Sequence, residues 1–520
     1  MTDRSLVVES FTVPPDLAAR GATGEALAEQ LASRVAIIRA TAARASLDQV
    51  AQVRADQSSY LKVQIPETGI SVDELERFLH RWLGHQTVLR GEVRDEAGGQ
   101  LSAILSVGGT QRIEVRGTGA DLAGLMQATA ERTFEIFSPE NFIQYLQVTG
   151  RSEDAWNTLE RHIHSPEFAA LSQPDRADFY SLYAYDDPDR HRALSSALIS
   201  IDIDPRVLVT WRAAAIVSGE LGHDQAAVDF YRQALNTKKE DLPASQRGVY
   251  AFLLDQTHSK IDTALGNFAA LQGDYDVIAV LFPPQLNEHY AENAVIAAAL
   301  HDVPRSRQQL ARAQAVGPSD LTVLQAQWSV SSGAGDWPQA LAAAKALAAD
   351  GAAQKAAAPS PEFAALPELA LATQYRPLLA YAEAMTGDTA SATVLISQTP
   401  TDCYLCVRTR AQIAALAGDP TTADRWFAEA VRQAPDLPAA YYEWGHALLA
   451  RDDLAGAARE FSLAHGKGPH WADPLEAWGG VLAKQGLPRE ALANYEEALR
   501  DAPDWAALSQ AREAAARKRA

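Results

Sequence analysis

The sequence predicts a mainly α-helical chain: an α-solenoid of antiparallel helix hairpins, preceded by a small α+β domain. Three observations carry this. Prolines, alanines and aromatics recur at a fixed spacing of 34 residues near the C-terminus. Residues from about 139 onward read as helix after helix, whereas residues 1 to about 138 mix short β-type runs with helices. At 520 residues, the chain exceeds one ordinary core, so it must hold several domains or an extended array.

The front region reads β-α-β-α-β-β-β-α. Ser5 to Val13 is strand-like and stops at Pro14-Pro15. Thr23 can cap a helix from about Gly24 to Ala43, with Leu27, Leu31, Val35 and Ile38 on one face. Residues 45–58 are polar and read as a loop. Tyr60 to Ile65 alternates as a strand. Ser71 and Glu74 form a capping box for a helix carrying Leu75, Phe78, Leu79 and Trp82. Three strands follow, Thr87–Arg94, Leu101–Val107 and Arg112–Val115, separated by Gly98-Gly99 and Gly108-Gly109 turns. A last helix spans about Asp121 to Phe137.

Behind it, residues 139–400 read as irregular helical repeats and 401–520 as regular ones. Pro435, Pro469 and Pro503 are 34 apart, as are Ala423, Ala457 and Ala491. Phe427, Phe461 and Tyr495 keep the same period, as do Trp444 and Trp478, and Gly445 and Gly479. Gly445 lets the first helix of a unit lie close to the second. Trp444, Leu448 and Phe461 fill the space between, and Pro469 ends the unit. One such hairpin cannot bury its own apolar face, so units must stack. The pattern fades upstream through Gly335, Ala340, Ala344 and Leu347, then Gly222, Ala227, Tyr231 and Ala234, to Gly150, Ala155 and Leu159. Extrapolating the period gives about nine or ten hairpins. Ala352 to Pro361 reads as a long inter-helix loop. The helix after Trp505 has the charged face of a terminal cap.

The strings WGHALLARDDLAGAAREFSLAHGKGP and WGGVLAKQGLPREALANYEEALRDAP resemble the tetratricopeptide repeat (TPR) family. That resemblance is strong over about 404–503 and weak over most of the remainder. The segments FTVPPDLAARGATGEALAEQLASRV and QIPETGIS resemble the α/β portion that precedes such arrays in some bacterial TPR proteins. The resemblance implies a concave groove lined by the first helix of each repeat. On this sequence the groove residues are Arg408, Gln412, Tyr442, Glu443, His446, Asp473, Glu476 and Lys484. One TPR subgroup grips a chaperone's C-terminal carboxylate with Lys, Arg and Asn. Here Glu443, Asp473 and Ala477 stand at clamp positions, and two acids repel a carboxylate. The groove therefore suits a basic or mixed-charge peptide, although exposed charged residues are also what an ordinary solvated helix face presents.

Chemistry has few footholds. Cys403 and Cys406 form the one C-x-x-C, at a helix start where the dipole lowers a thiol pKa. They read either as small packing residues or as a possible redox pair. Zinc needs about four ligands, and no second cysteine pair exists. Gly117-Thr118-Gly119 departs from the dinucleotide fingerprint and reads as a turn. His162 and His164 splay across a helix, and His80 and His85 lack a carboxylate partner, so no metal is expected. Trp156, Trp211, Trp328, Trp426 and Trp444 suit packing between helices.

Composition bounds the partners. Hydrophobic content of 47% and charged content of 22% are those of a folded soluble chain. A formal net charge of -20 disfavours nucleic acid and anionic membranes. Plentiful alanine and scarce lysine suggest a GC-rich bacterial source. Neither a signal peptide nor a transmembrane run is visible. The expected compartment is the cytoplasm, or the periplasm or a membrane tether if an upstream anchor was removed.

The expectation is thus a non-enzymatic scaffold or adaptor without a cofactor, holding a protein or peptide, with homo-oligomerisation open. The alternative is a sensor, in which the front domain binds a small molecule and the solenoid relays it.

Overall fold

The computed structural model describes residues 6–45, 87–96, 98–107, 111–241, 250–272, 286–318 and 320–519. The expected 60–65 strand, the capped 71–84 helix, most of the 45–58 loop, Gly108-Gly109, His80 and His85 lie outside these residues. Contacts divide the described chain into two compact units, one up to Leu171 and one from Ser172.

The first unit is a four-stranded sheet with helices packed on it. Strand β1 (Leu6–Val8) runs parallel to β2 (Thr87–Glu96). Strands β2, β3 (Gln100–Val107) and β4 (Gln111–Thr118) form an antiparallel meander in spatial order β1-β2-β3-β4. Gly98 and Gly99 both adopt positive φ, 80° and 74°, in the turn between the paired Glu96 and Gln100, a conformation that glycine takes without a Cβ clash. The expected first strand is shorter than its apolar run. After Val8 the Glu9 amide still donates to the Leu89 carbonyl at 2.9 Å and Thr12 makes an isolated bridge to Glu92, while Phe11 turns inward and packs on Gly91.

Short α1 (Pro15–Ala19) leads to α2 (Gly24–Ala45), which buries Leu27, Leu31 and Ile38. Helix α3 (Leu122–Phe137) packs on α2 and buries Leu125, Met126 and Phe134. Asp121 caps α3, accepting from the Gly124 amide at 2.7 Å. The hairpin of α4 (Pro139–Val148) and α5 (Ser152–Ile163) and the short α6 (Pro166–Ala169) complete the unit. Gly150 makes the α4–α5 turn at φ 75°, and Ala155, Trp156 and Leu159 are buried.

The second unit is a TPR-like α-solenoid. Successive antiparallel pairs are α7 (Gln173–Asp186) with α8 (Arg190–Ile203), and α9 (Leu208–Glu220) with α10 (Asp224–Leu235). Helix α11 (Tyr250–Leu265) packs on α10. Next come α12 (Leu286–Ala299) with α13 (Val303–Val316), and α14 (Leu321–Gly333) with α15 (Trp337–Ala357). Helix α16 (Ala365–Ala370) passes through a π turn at Leu371–Tyr375 into α17 (Arg376–Met385), which pairs with α18 (Thr389–Ser397). The regular repeats are α19 (Tyr404–Leu416) with α20 (Pro420–Gln433), α21 (Ala439–Ala450) with α22 (Leu454–Lys467), and α23 (Ala472–Lys484) with α24 (Pro488–Asp501). Helix α25 (Ala506–Arg519) covers the last pair.

The loop expected at Ala352 to Pro361 is mostly helix. Alanine is the best helix former, so α15 continues to Ala357 and stops only as Pro359 and Pro361 approach. Glycine does what the repeat grammar predicts: a Cβ on Gly445 would sit 2.5 Å from the Phe461 ring, and one on Gly479 would sit 2.5 Å from the Tyr495 ring. Trp444 stacks on Phe427 at 6.0 Å and donates its indole N–H to Asp424 at 2.8 Å.

The hairpins also meet across long sequence distances. The Tyr404 amide donates to the Gly222 carbonyl at 2.8 Å. The Thr373 hydroxyl donates to the Glu220 carbonyl at 3.1 Å. Leu271, Ile296 and Leu300 share one apolar core with Leu475, Leu492, Tyr495 and Leu508. The array thus closes back on itself within this unit.

Candidate functional site

All eight expected groove residues lie on α19, α21 and α23, the first helices of the three regular repeats. A first helix places residues three and four apart on one face, which puts Tyr442 above His446 and Asp473 above Glu476. The Tyr442 ring lies 4.6 Å from the His446 ring, nearly perpendicular, and 4.6 Å from the Trp471 ring. Buried Phe461 backs both, 5.9 Å from Tyr442 and 5.0 Å from His446. His446 is exposed, and Tyr442, Trp471, Asp473 and Glu476 are half-buried.

Electrostatics distinguish two ends of this wall. At one end Arg408 pairs with Glu443, its Nε donating at 2.9 Å and its Nη2 also bonded to the carboxylate. Desolvation works against the guanidinium charge, but the Glu443 carboxylate outweighs it and holds the Arg408 pKa above its usual value. The guanidinium also covers the Tyr404 ring at 5.0 Å. Arg408 is therefore already engaged, and a ligand carboxylate would have to displace Glu443 to reach it.

At the other end the acids lack such a cation. His301, from the α12–α13 turn, approaches Asp473 Oδ1 through Nε2 at 3.1 Å and stacks on Trp505 at 3.5 Å. Asp473 Oδ2 is buried and has no hydrogen-bond partner among the described residues. Desolvation, reinforced by Asp473, raises the Glu476 pKa. Desolvation by the surrounding rings also lowers the His446 pKa, with Asp473 opposing it. Tyr442 is pushed well above the ordinary phenol value by desolvation and then by Asp473 and Glu476. No hydrogen bond or ion pair joins Gln412 or Lys484 to this cluster among the described residues, and Lys484 is exposed.

Several members of the wall come from residues that sequence reasoning passed over. Trp471 precedes its helix at the repeat position also held by Leu437 and Trp505, so the period itself marks an inward-facing apolar site. Tyr381 on α17 lies close enough to Glu443 to feel its charge; desolvation first, then Glu443, pushes its pKa up to about 12. Asp224 at the start of α10 faces Arg408, and desolvation raises its pKa to about 6. His301 and Asp224 are far from the wall in sequence, and no local signal points to either.

Cys403 and Cys406 are joined by a disulfide, and neither is exposed. Cys403 is the N-cap of α19, its sulfur accepting from the Cys406 amide at 3.2 Å. The Gly119 amide donates to Gly99 at 2.8 Å and the Gly124 amide to Asp121; those two donors are therefore taken. His162 meets Phe168 edge-on at 6.2 Å, and His164 is the C-cap of α5. Among the described residues no group of three or more His, Cys, Asp or Glu is placed to hold a metal ion. Among them, too, no helix is long and apolar enough to cross a membrane.

No protein-family model and no curated protein matches the sequence. Solved structures with similarity include a tetratricopeptide repeat protein from Parabacteroides merdae ATCC 43184, at 11% identity and TM-score 0.33, covering 51% of this chain and 98% of that one. The APC/C hetero-tetramer Cut9–Hcn1 is similar at 11% identity and TM-score 0.28, over 75% of this chain and 92% of that one. The TPR domain of P58(IPK) is similar at 13% identity and TM-score 0.23, over 72% and 96%. These likenesses are distant, and the repeat architecture rests on the hairpin packing of the chain itself.

Proposed function

We propose that the second unit is a protein-interaction scaffold that holds a peptide segment of basic or mixed charge along α19, α21 and α23. The observation that carries this reading is the wall of accessible rings and acids at Tyr442, His446, Trp471, Asp473 and Glu476. Aromatic side chains supply contact area at small entropic cost, and a few such anchors dominate most interfaces. The Arg408–Glu443 pair argues against capture of a free carboxylate terminus, because the Arg408 guanidinium already has its partner.

The test is selection of 12-residue peptides from a random display library on the full chain. Enriched peptides should lose at least tenfold in affinity on a Tyr442→Ala/His446→Ala variant. Because Tyr442 also touches Phe461, helical circular dichroism and melting must be checked alongside. A milder His446→Ala variant should show a smaller loss with an unchanged melt. If no peptide is enriched, or enriched peptides bind both variants like the native chain, this assignment fails.

A further inference from the structure

Tyr442, Trp471 and His446 meet at steep angles, 83° between Tyr442 and His446 and 56° between Tyr442 and Trp471. Rings so arranged form the sides of a corner rather than a stack. Phe461, fully buried, is its floor. Asp473 and Glu476 sit one helical turn apart at the same corner. Both residues are half-buried, and both carboxylates bear on the Tyr442 phenol electrostatically.

Among the described residues the corner has no full cation of its own. Arg408 is committed to Glu443. His301 holds one oxygen of Asp473 and leaves the buried Oδ2 without a partner. Among the described residues, Glu476 makes no hydrogen bond or ion pair. A half-buried carboxylate pair is costly unless a positive charge meets it. Aromatic faces attract the same charge through their quadrupoles.

We propose that this corner is an anchor pocket for one cationic side chain, lysine or arginine, of the bound peptide. The cation would meet the half-buried carboxylates of Asp473 and Glu476 and rest against the faces of Tyr442 and Trp471. His301 acts as a positioning residue that fixes the Asp473 carboxylate. The pocket rests on the peptide-binding reading above and adds its specificity: the partner must present a basic residue at one fixed place.

The probes are fluorescein-labelled synthetic copies of the enriched display peptides, each made with its basic residue or with a neutral replacement, citrulline for arginine or norleucine for lysine. Anisotropy titrations are run against the native chain and against Asp473→Asn/Glu476→Gln, a near-isosteric double variant expected to keep its fold. Neutral replacement should weaken binding to the native chain tenfold or more. On the double variant the same replacement should change affinity less than twofold. The pocket is overturned if the enriched peptides share no basic position, or if the double variant discriminates charge as well as the native chain does. Either result leaves the peptide groove standing. Failure to enrich any peptide removes both readings.

Discussion

Asp224 shows how a single side chain records the concavity of the array. It opens α10, where an acid complements the helix dipole, yet desolvation dominates and lifts its pKa to about 6, with Arg408 only partly compensating. The unfolded chain releases this proton first, near the ordinary carboxylate value. The folded state therefore binds more protons than the unfolded one between about pH 4 and 6, and stability falls as pH rises through that window. Asp224→Asn should unfold at higher denaturant than the native chain at pH 7, with the difference vanishing at pH 4. Equal midpoints at pH 7 would mean that the carboxylate is well solvated. Nothing in the local sequence marks this residue. Gly445 is the opposite case: its 34-residue partner Gly479 makes its role legible from sequence, and the ring of Phe461 stands where a Cβ would go.

At the scale of the element, five turns between paired helices share a device: a residue at positive φ is followed by an aspartate that caps the second helix, whereas Gly222-His223 and Gly486-Leu487 keep the positive φ without a side-chain cap. Gly335-Asp336, Gly387-Asp388 and Gly418-Asp419 carry the cap, each aspartate accepting from the amide three residues on at 3.0 to 3.2 Å. Asp452-Asp453 and His301-Asp302 keep the cap but put a side chain in the left-handed position, at φ 64° and 58°. That conformation costs an L-residue roughly 1 to 2 kcal/mol, less for aspartate. Asp452→Gly should therefore raise stability by up to about 1 kcal/mol, read as a shift in melting temperature. A lower melting temperature would show that the Asp452 side chain holds the turn. The two substituted positions differ in use. Asp452 is an exposed substitute, while His301 projects a ring that stacks on Trp505 and reaches Asp473. Helix identities and the β2–β4 meander are readable because periodicity and turn glycines are local signals. The extent of α15 is not, because Pro359 and Pro361 mark a break without fixing how far the alanine-rich helix runs before it.

For the whole second unit, the decisive contacts are those that the repeat period cannot encode. A simple solenoid touches only neighbouring repeats and is stabilised as a sum of nearest-neighbour terms. Here α12 shares its core with α23, α24 and α25, and the α9–α10 turn receives the start of α19 at Gly222 and Tyr404. Removing the chain after Lys467 strips the cover from Leu271, Ile296 and Leu300. Hydrogen exchange in α12 and α13 should then lose protection, while α14 and α15 stay closer to native. Unchanged protection in α12 would show that the long-range core contributes little. The candidate site was half legible for the same reason. Its α21 and α23 residues follow from repeat grammar, whereas the residues that complete its electrostatics arrive from helices much earlier in the chain.

That closure also sets a timetable for synthesis. His301 leaves the ribosome 172 residues before Asp473, an interval of roughly 10 to 35 s at typical elongation rates of about 5 to 20 residues per second. During that interval the apolar face of α12 has no lid. The nascent chain is thus exposed to premature association for longer than a linear repeat array, whose every hairpin is covered by the next one to emerge.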